Sequence, residues 1–250
     1  MNTPVSPWPY PRWIAHRGAG KLAPENTLAA FRLGAAHGYR AFECDVKLSA
    51  DEVPFLMHDA TLERTTDGSG TAGDQAWSSL SQRDAGSWHS RAFAGEPLPT
   101  LAAIAAFILR NGHRLNLEIK PTPGVEDLTG RVVAEHVRRL WAGQSVVPLL
   151  SSFRPEALQG ARHVAPELPR ALLVDTLWHG WFDVARGLDC VAVVANHRLM
   201  DPALVDHLHS NGLKALVYTV NDASDAARLL ALGIDGIITD AVDQFSPALG

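Results

Sequence analysis

The stretch Lys214–Thr239, KALVYTVNDASDAARLLALGIDGIIT, contains one complete strand–helix–strand unit. Its first apolar run is followed by Asn221 and Asp222, a favourable helix start, and Gly233 marks the end of the helix. A second short apolar run, Gly236–Thr239, then closes the unit. A strand, a helix and a second strand in this order are typical of a parallel β-sheet.

The same alternation repeats along the chain. Short apolar runs predict strands, and the segments between them have helical spacing and capping residues. The predicted strands are 13–15, 41–46, 115–119, 146–150, 171–174, 190–195, 214–220 and 236–239, and 53–57 is expected to form a hairpin with the second strand. The predicted helices are 26–37, 101–110, 130–141, 155–164, 178–186, 202–210 and 223–232, with Asn26 as the N-cap of the first.

Eight such units in 250 residues predict an α/β protein with the (β/α)8 or TIM barrel fold. A doubly wound sheet is the alternative, and it would need a glycine-rich phosphate turn after the first strand. The segment HRGAG at 16–20 lies there, but it lacks a third glycine and is followed by Pro24 rather than by a helix. One domain is therefore expected over residues 1–250.

Residues 59–99 interrupt the repeat. They contain glycines, serines, prolines, Trp77 and Trp88 but no long periodic run. A loop of ~40 residues without structure of its own is uncommon in a compact domain. We expect a small insertion after the second strand, placed on the barrel mouth, which sets the range of substrates rather than performing chemistry.

The composition excludes several classes of protein. The chain is 46% apolar and 20% charged, as in ordinary globular proteins, and its net charge of −5 gives no reason to expect nucleic acid or an anionic membrane as a partner. No apolar run approaches the ~18 residues of a membrane span, and the proline-rich start does not resemble a signal peptide. These two features predict a cytoplasmic location, and Cys44 and Cys190, too few for a disulfide framework, are compatible with it. The oligomeric state is left open.

Polar side chains collect at the carboxyl ends of the predicted strands, where the active sites of barrel enzymes lie. Glu43 and Asp45 end the second strand and Glu118 ends the third. Three adjacent carboxylates favour a hard divalent cation, Mg²⁺ or Ca²⁺, with Mn²⁺ also compatible. The alternative is a salt-bridge network in which Glu118 pairs with Lys120 or Arg17. Later strand ends supply Ser152, Asn196, His197, Thr219, Asn221, Thr239 and Asp240.

Two histidines and two cations lie beside these carboxylates in the predicted barrel. His16 and His58 follow strands and are candidates for a general acid and a general base, because an unperturbed imidazole titrates near neutrality. Arg17 and Lys120 are candidates for holding an anionic group such as phosphate. A metal, two cations and an acid/base pair together indicate phosphoryl chemistry. His197 also follows a strand but has no clear partner.

Ordered sequence blocks connect these residues with a known family. HRG at 16–18, PENT at 24–27, ECDV at 43–46, MHD at 57–59 and EIKP at 118–121 resemble blocks of the glycerophosphodiester phosphodiesterases. LSSF at 150–153, YTVN at 218–221 and ITD at 238–240 resemble later blocks of that family, in the same order. The resemblance covers essentially the whole chain. It includes the start WPYPR at 8–12, which is similar to the bacterial cytosolic members that accompany glycerol 3-phosphate uptake.

The resemblance implies a barrel with an insertion after the second strand and hydrolysis of glycerophosphodiesters such as glycerophosphocholine and glycerophosphoethanolamine. The products would be glycerol 3-phosphate and a free alcohol. By position, it implies metal ligation by Glu43, Asp45 and Glu118, acid/base catalysis by His16 and His58, and phosphate contacts from Arg17 and Lys120. The nucleophile would be the glycerol 2-hydroxyl, which forms a cyclic phosphate, or a water molecule; both routes stay open.

Two other functions are compatible with the same residues. Phospholipase D-like barrels of the sphingomyelinase type also have paired histidines and an acidic metal site, but they are secreted and carry disulfides. A binding module for glycerophosphate esters would have lost a histidine or a metal ligand, and this chain has both histidines and all three carboxylates. Tyr218 stands where the family often has tryptophan, at a position on the glycerol side of the site.

Overall fold

The computed structural model describes residues 8–247 and contains a closed barrel of eight parallel strands. The strands are β1 (Trp13–Ala15), β2 (Ala41–Leu48), β3 (Pro54–Leu56), β4 (Arg114–Ile119), β5 (Leu149–Ser152), β6 (Arg170–Val174), β7 (Ala192–Asn196), β8 (Lys214–Tyr218) and β9 (Gly236–Thr239). The barrel closes because β1 pairs in parallel with both β2 and β9. The added strand β3 runs antiparallel to the end of β2. The predicted TIM barrel with an insertion after the second strand is therefore confirmed.

Helices occupy the segments between the barrel strands. They are α1 (Leu28–Ala36), α2 (Trp77–Leu80), α3 (Leu101–Arg110), α4 (Glu126–Leu140), α5 (Pro155–Val164), α6 (Trp181–Gly187), α7 (Pro202–Ser210) and α8 (Ala223–Ala231). Side-chain oxygens of Thr100, Asp201 and Asp222 cap α3, α7 and α8 by accepting hydrogen bonds from first-turn amides. Among the described residues, no helix is both long and apolar enough to cross a membrane.

The barrel has an inner and an outer core, because successive side chains of a strand point to opposite sides. An inner cluster is built from one buried series of strand residues, including Ile14, Ala41, Leu149, Ala171, Val194, Leu216 and Ile238. The larger cluster joins the other series, such as Phe42 and Cys44 of β2, to the helices. Glu43 and Asp45 alternate with the outer residues of β2, so they share the inner side with Ala41.

Some element boundaries differ from the sequence prediction for local reasons. Asn26 is not the N-cap of α1: Thr27 caps the helix with its side chain, and Asn26 has a φ of 60° and binds β2 instead. β5 begins after Pro148, which cannot donate a ladder hydrogen bond, rather than at Val146. α6 begins after Gly180, whose φ of 86° is left-handed, and not at residue 178.

The insertion at 59–99 and the strand β3 pack together around a third apolar cluster, separate from the two barrel clusters. Phe55 and Met57 pack there with Leu62, Ala72, Leu80, Ala85 and Leu98. The insertion touches the segment after β1 at separate points, since Glu96 accepts a hydrogen bond from the amide of Ala29 and His89 contacts the carbonyl of Lys21. Treating residues 1–250 as one domain stays a prediction, and residues 1–7 and 248–250, including most of the segment considered as a signal peptide, lie outside the described residues.

Candidate active site

Three buried carboxylates meet at the carboxyl ends of β2 and β4. The strand register pairs Asp45 directly with Glu118, and Glu43 lies two residues before Asp45 on the same side of β2. One oxygen from each of the three carboxylates lies within 4.8 Å of the others. The three residues are only 3%, 1% and 9% exposed for Glu43, Asp45 and Glu118, so water does little to screen their mutual repulsion.

The three carboxyl groups of this cluster differ in how readily they ionise. Burial, followed by the charge of Asp45, raises the pKa of Glu43 to about 8 and that of Glu118 to about 7. Burial also opposes ionisation of Asp45, but the charges of Arg17 and Lys120 outweigh it and hold the pKa of Asp45 well below its ordinary value. A closely spaced, buried set of oxygen donors with excess negative charge fits a hard divalent cation.

His16 follows β1 and lies between two acidic groups. Its Nδ1 is 2.6 Å from Oδ1 of Asp240, and its Nε2 is 3.7 Å from Oε2 of Glu43. Burial alone would lower the pKa of His16, but the hydrogen bond to Asp240 and the charge of Glu43 outweigh burial, so the pKa is raised. Asn221 holds Asp240 in turn by donating from Nδ2 to Oδ2 at 2.9 Å. Gly20, with a φ of 57°, approaches so closely that a Cβ there would overlap the Asp240 backbone.

His58 follows β3 and has a similar carboxylate partner. Its Nδ1 is 2.7 Å from Oδ1 of Asp59, the first residue of the insertion. Burial lowers the pKa of His58, and the charges of Asp45 and Asp59 only partly oppose this effect. When Nδ1 donates to a carboxylate, Nε2 carries the lone pair or the second proton. Both histidines are therefore held in orientations suited to proton transfer at Nε2.

The two candidate phosphate-binding cations also contact the carboxylate cluster. Arg17 has a φ of 49°, its amide donates to Glu43 at 3.0 Å, and its Nε lies 3.3 Å from Oδ2 of Asp45. Lys120 donates to Glu118 at 2.9 Å and lies 3.6 Å from Asp45. The Lys120–Glu118 pair is one that the salt-bridge alternative proposes. The charges of His16 and Arg17 also oppose the rise in the pKa of Glu43, but burial and the charge of Asp45 outweigh them, so the carboxylate cluster could still bind a metal ion.

Several residues in this region were not assigned a role from sequence. Asn26 exchanges two hydrogen bonds with Asp45, from Nδ2 to Oδ2 at 2.8 Å and from the Asp45 amide to Oδ1 at 3.0 Å. Lys47, 1% exposed, donates to the carbonyls of Lys120 and His58. Lys47 follows Glu43 and Asp45 at intervals of two residues on β2, and this spacing could have placed its side chain on the same side of the strand. His197, which follows a strand and had no clear partner in the sequence, lies with its Nδ1 3.6 Å from Oδ2 of Asp225.

A cavity of about 500 Å³ connects the barrel mouth with the insertion. It is lined in part by His16, Arg17, Glu25, Arg64, Trp88 and Asp240. A much smaller cavity of about 20 Å³ lies deeper, between the carboxylate cluster and the aromatic side chains of Phe153 and Tyr218. The insertion thus contributes walls to the cavity that contains a candidate acid/base histidine.

The fold and this carboxylate–histidine site are of the kind found in barrel enzymes of phosphoryl chemistry, and the comparison with known families gives the class directly. The sequence profile of the glycerophosphoryl diester phosphodiesterase family matches residues 16–244. The chain belongs to this family and to its class of enzymes, the phosphodiesterases, as the resemblance of its sequence blocks indicated.

Individual relatives agree with the family assignment. A glycerophosphodiester phosphodiesterase of Caldanaerobacter subterraneus is 32% identical over 235 residues, which cover 91% of this chain and 93% of the relative. A phosphodiesterase of Oleispira antarctica, solved in complex with the product sn-glycerol-3-phosphate, is 36% identical with a TM-score of 0.90, covering 96% of this chain and 97% of that one. A glycerophosphodiester phosphodiesterase of Agrobacterium tumefaciens is 29% identical with a TM-score of 0.79, covering 94% and 99% of the two chains.

Proposed function

We propose that this chain hydrolyses glycerophosphodiesters, such as glycerophosphocholine and glycerophosphoethanolamine, to glycerol 3-phosphate and an alcohol, with a divalent cation and two histidines. The observation that carries this proposal is the pair of carboxylate-held imidazoles, His16 with Asp240 and His58 with Asp59, in one site with three buried carboxylates. The Oleispira antarctica relative, whose complex contains sn-glycerol-3-phosphate, supports the same product here.

Glu43, Asp45 and Glu118 would hold the cation, which we propose to be Mg²⁺ or Ca²⁺, with Mn²⁺ as a substitute. Carboxylate oxygens are the ligands that these ions prefer. When bound, such an ion polarises a phosphoryl oxygen and offsets negative charge that develops in the transition state. Metal dependence also explains why the chain keeps three carboxylates together at a place where two of them have strongly raised pKa values.

The side chains of the protein supply positioning and proton transfer. Arg17 and Lys120 border the carboxylate cluster and would hold the phosphate of the diester, since each offers N–H donors beside it. Of the two histidines, one would accept the proton of the nucleophile, which is either the glycerol 2-hydroxyl or water, and the other would donate a proton to the leaving alcohol. Asp240 and Asp59 would keep each ring in the tautomer that leaves Nε2 free for these transfers.

An enzyme-coupled assay of glycerol 3-phosphate tests the proposal. The protein is incubated with glycerophosphocholine, with and without a chelator, beside the Glu118→Gln variant. We expect glycerol 3-phosphate to accumulate only with metal and far more slowly in the variant. A phospholipase D-like enzyme would instead release choline from sphingomyelin and leave glycerophosphocholine intact. A binding module would bind glycerophosphocholine in calorimetry without turnover, and either result would refute the proposal.

The small-molecule diester is the partner that we propose. A cytoplasmic location and a link to glycerol 3-phosphate uptake are proposed from the composition and the sequence resemblance alone.

A further inference from the structure

Arg64, in the insertion, joins two carboxylates from different segments of the chain, Asp59 after β3 and Glu25 after β1. Its Nε and Nη2 donate to the two oxygens of Asp59 at 2.6 and 3.0 Å. Its Nη1 and Nη2 donate to the two oxygens of Glu25 at 2.8 Å each. Asp59 in turn binds Nδ1 of His58 at 2.7 Å, and Glu25 accepts from Nη1 of Arg17 at 2.7 Å. A continuous chain of charge-assisted hydrogen bonds therefore connects His58 with Arg17 through Arg64.

We propose that Arg64 is a positioning residue of the active site: it fixes Asp59 and Glu25 so that His58 and Arg17 keep their places relative to one another. This inference rests on the proposed function, because it assigns Arg64 to the same reaction. It also gives the insertion a part in catalysis, which differs from the expectation that residues 59–99 act only on substrate range.

The geometry distinguishes Arg64 from an ordinary surface ion pair. Exposed pairs contribute little unless they are bidentate or belong to a network. Arg64 is 44% exposed, but it makes four contacts to two carboxylates that are themselves 27% and 13% exposed, for Asp59 and Glu25. Only a planar guanidinium can bind two carboxylates in this way, since an ammonium group offers a single point of charge.

Each end of this series of hydrogen bonds, His58 at one end and Arg17 at the other, depends on Arg64 for a different reason. Asp59 could rotate away from His58 if Arg64 did not bind both of its oxygens, and His58 would then lose the partner that sets its tautomer. Glu25 binds Arg17 through the same Oε1 atom that Arg64 holds from the other side. Removal of Arg64 therefore loosens the acid/base group and the phosphate-binding group together.

The charges around His58 give a readout that a purely structural role would not change. Its pKa is lowered by burial first, then raised by Asp45 and Asp59 and lowered by Arg17 and Lys120. The hydrogen bond from Asp59 raises the pKa of His58, so if Asp59 leaves His58 when Arg64 is removed, the His58 titration moves to lower pH. An Arg64 that acted only through its positive charge would have the opposite effect, because removal of a cation raises the pKa of a nearby imidazole.

The first arm of the experiment is kinetic and compares Arg64→Ala, Arg64→Lys and wild type on glycerophosphocholine. Arg91→Ala is the matched control, because Arg91 is an exposed arginine of the same insertion and has no ion pair within residues 8–247. We expect kcat to fall on the order of 10- to 100-fold in Arg64→Ala, the range for lost supporting hydrogen bonds. Arg64→Lys should recover part of kcat, and Arg91→Ala should match wild type. Wild-type kcat in Arg64→Ala would overturn the inference.

The second arm does not depend on turnover. Imidazole ¹⁵N shifts of His58 are titrated in wild type, Arg64→Lys and Arg64→Ala, after assignment with His58→Gln. A downward shift of the His58 titration in Arg64→Ala, smaller in Arg64→Lys, supports the inference; if Arg64→Ala is too unstable to study, Arg64→Lys carries the comparison. Identical titrations in all proteins that fold, or an upward shift, would overturn it. A wild-type protein that turns over no glycerophosphodiester refutes the proposed function instead, whatever the titrations show.

Discussion

Nδ1 of His16 and Oδ1 of Asp240 lie 2.6 Å apart, although 224 positions separate the two residues in the sequence. The contact exists because β1 and β9, the first and last strands of the barrel, pair with each other in register from Trp13 to Ala15. The pairing of β1 with β9 that closes the barrel therefore also brings Asp240 to the imidazole of His16. The amide of Asp240 also donates to Oδ1 of Asn221 at 2.8 Å, which fixes the loop after β9.

Asp240→Asn is expected to reduce kcat by about 10²–10⁴-fold, because an amide can stabilise the wrong tautomer of His16. The charge of Asp240 raises the pKa of His16, so its removal should also move the corresponding limb of the pH–rate profile to lower pH. The measurement is kcat/KM for glycerophosphocholine against pH. Asp225→Asn is the control, because Asp225 pairs with His197 elsewhere. Unchanged kcat in Asp240→Asn would rule out the orienting role.

Divalent metal binding is expected to release protons near neutral pH. Burial raises the pKa of Glu43 to about 8 and of Glu118 to about 7, so the metal-free protein keeps protons on these groups that a metal must displace. Calorimetric titration of the chelated protein with Mg²⁺ or Ca²⁺, in two buffers of different ionisation enthalpy, counts the protons. We expect release at about pH 6 and almost none at about pH 9.

The same groups set the pH dependence of stability without metal. Their folded-state pKa values lie above the ordinary 4.5, so the folded form binds more protons than the unfolded form between those limits. The free energy of unfolding of the chelated protein should therefore fall as pH rises from about 4.5 to 8, and the gain in Tm on adding metal should grow over that range. The Glu118→Gln variant should release fewer protons on metal binding and should show a smaller gain in Tm when metal is added. A metal-induced gain that is constant with pH contradicts the assignment.

The barrel could be predicted from sequence because its repeats are local, and the carboxylate cluster because carboxyl ends of parallel strands meet at one face. Asn26 shows where local reasoning failed: its position favours an N-cap, but two hydrogen bonds to Asp45 compete successfully for its side chain. Arg64 lies in a segment without periodicity, and its place beside Glu25 is set by packing of the insertion against the barrel. No spacing in the sequence carries that information.

Trp88 is expected to influence which alcohol the enzyme prefers. The indole lines the large cavity with His16 and Arg17, and its Nε1 donates to the carbonyl of Ala85 at 2.8 Å, which holds the ring in place. An aromatic face attracts a quaternary ammonium group by about 0.5–2 kcal/mol. Trp88→Ala should raise KM for glycerophosphocholine about 2- to 30-fold, the equivalent of that energy, with little change in kcat.

The comparison for Trp88 uses substrates and matched variants together. Trp88→Phe should retain much of the affinity for glycerophosphocholine, and KM for glycerophosphoglycerol, which has no cation, should change little in either variant. Trp178→Ala is the control, because Trp178 is 40% exposed, similar to the 39% of Trp88, but does not line this cavity. Equal effects of Trp88→Ala on both substrates would show that the indole does not recognise the ammonium group.

The two histidines should divide the work of proton transfer, and a change of leaving group should reveal which does which. A diester needs a proton removed at the attacking oxygen and supplied at the departing one, so kcat/KM should depend on pH as a bell. His16→Ala and His58→Ala should each lower kcat by about 10²–10⁴-fold, with smaller effects on KM.

The leaving group of a p-nitrophenyl diester, p-nitrophenolate, departs without taking up a proton. Such a substrate should therefore restore activity only to the variant that has lost the general acid. The raised pKa of His16 and the lowered pKa of His58 make His16 the better candidate for that acid. Rescue of His58→Ala instead would reverse the assignment, and near-wild-type kcat in both variants on glycerophosphocholine would place the acid/base pair elsewhere, with His197 as the next residue to test.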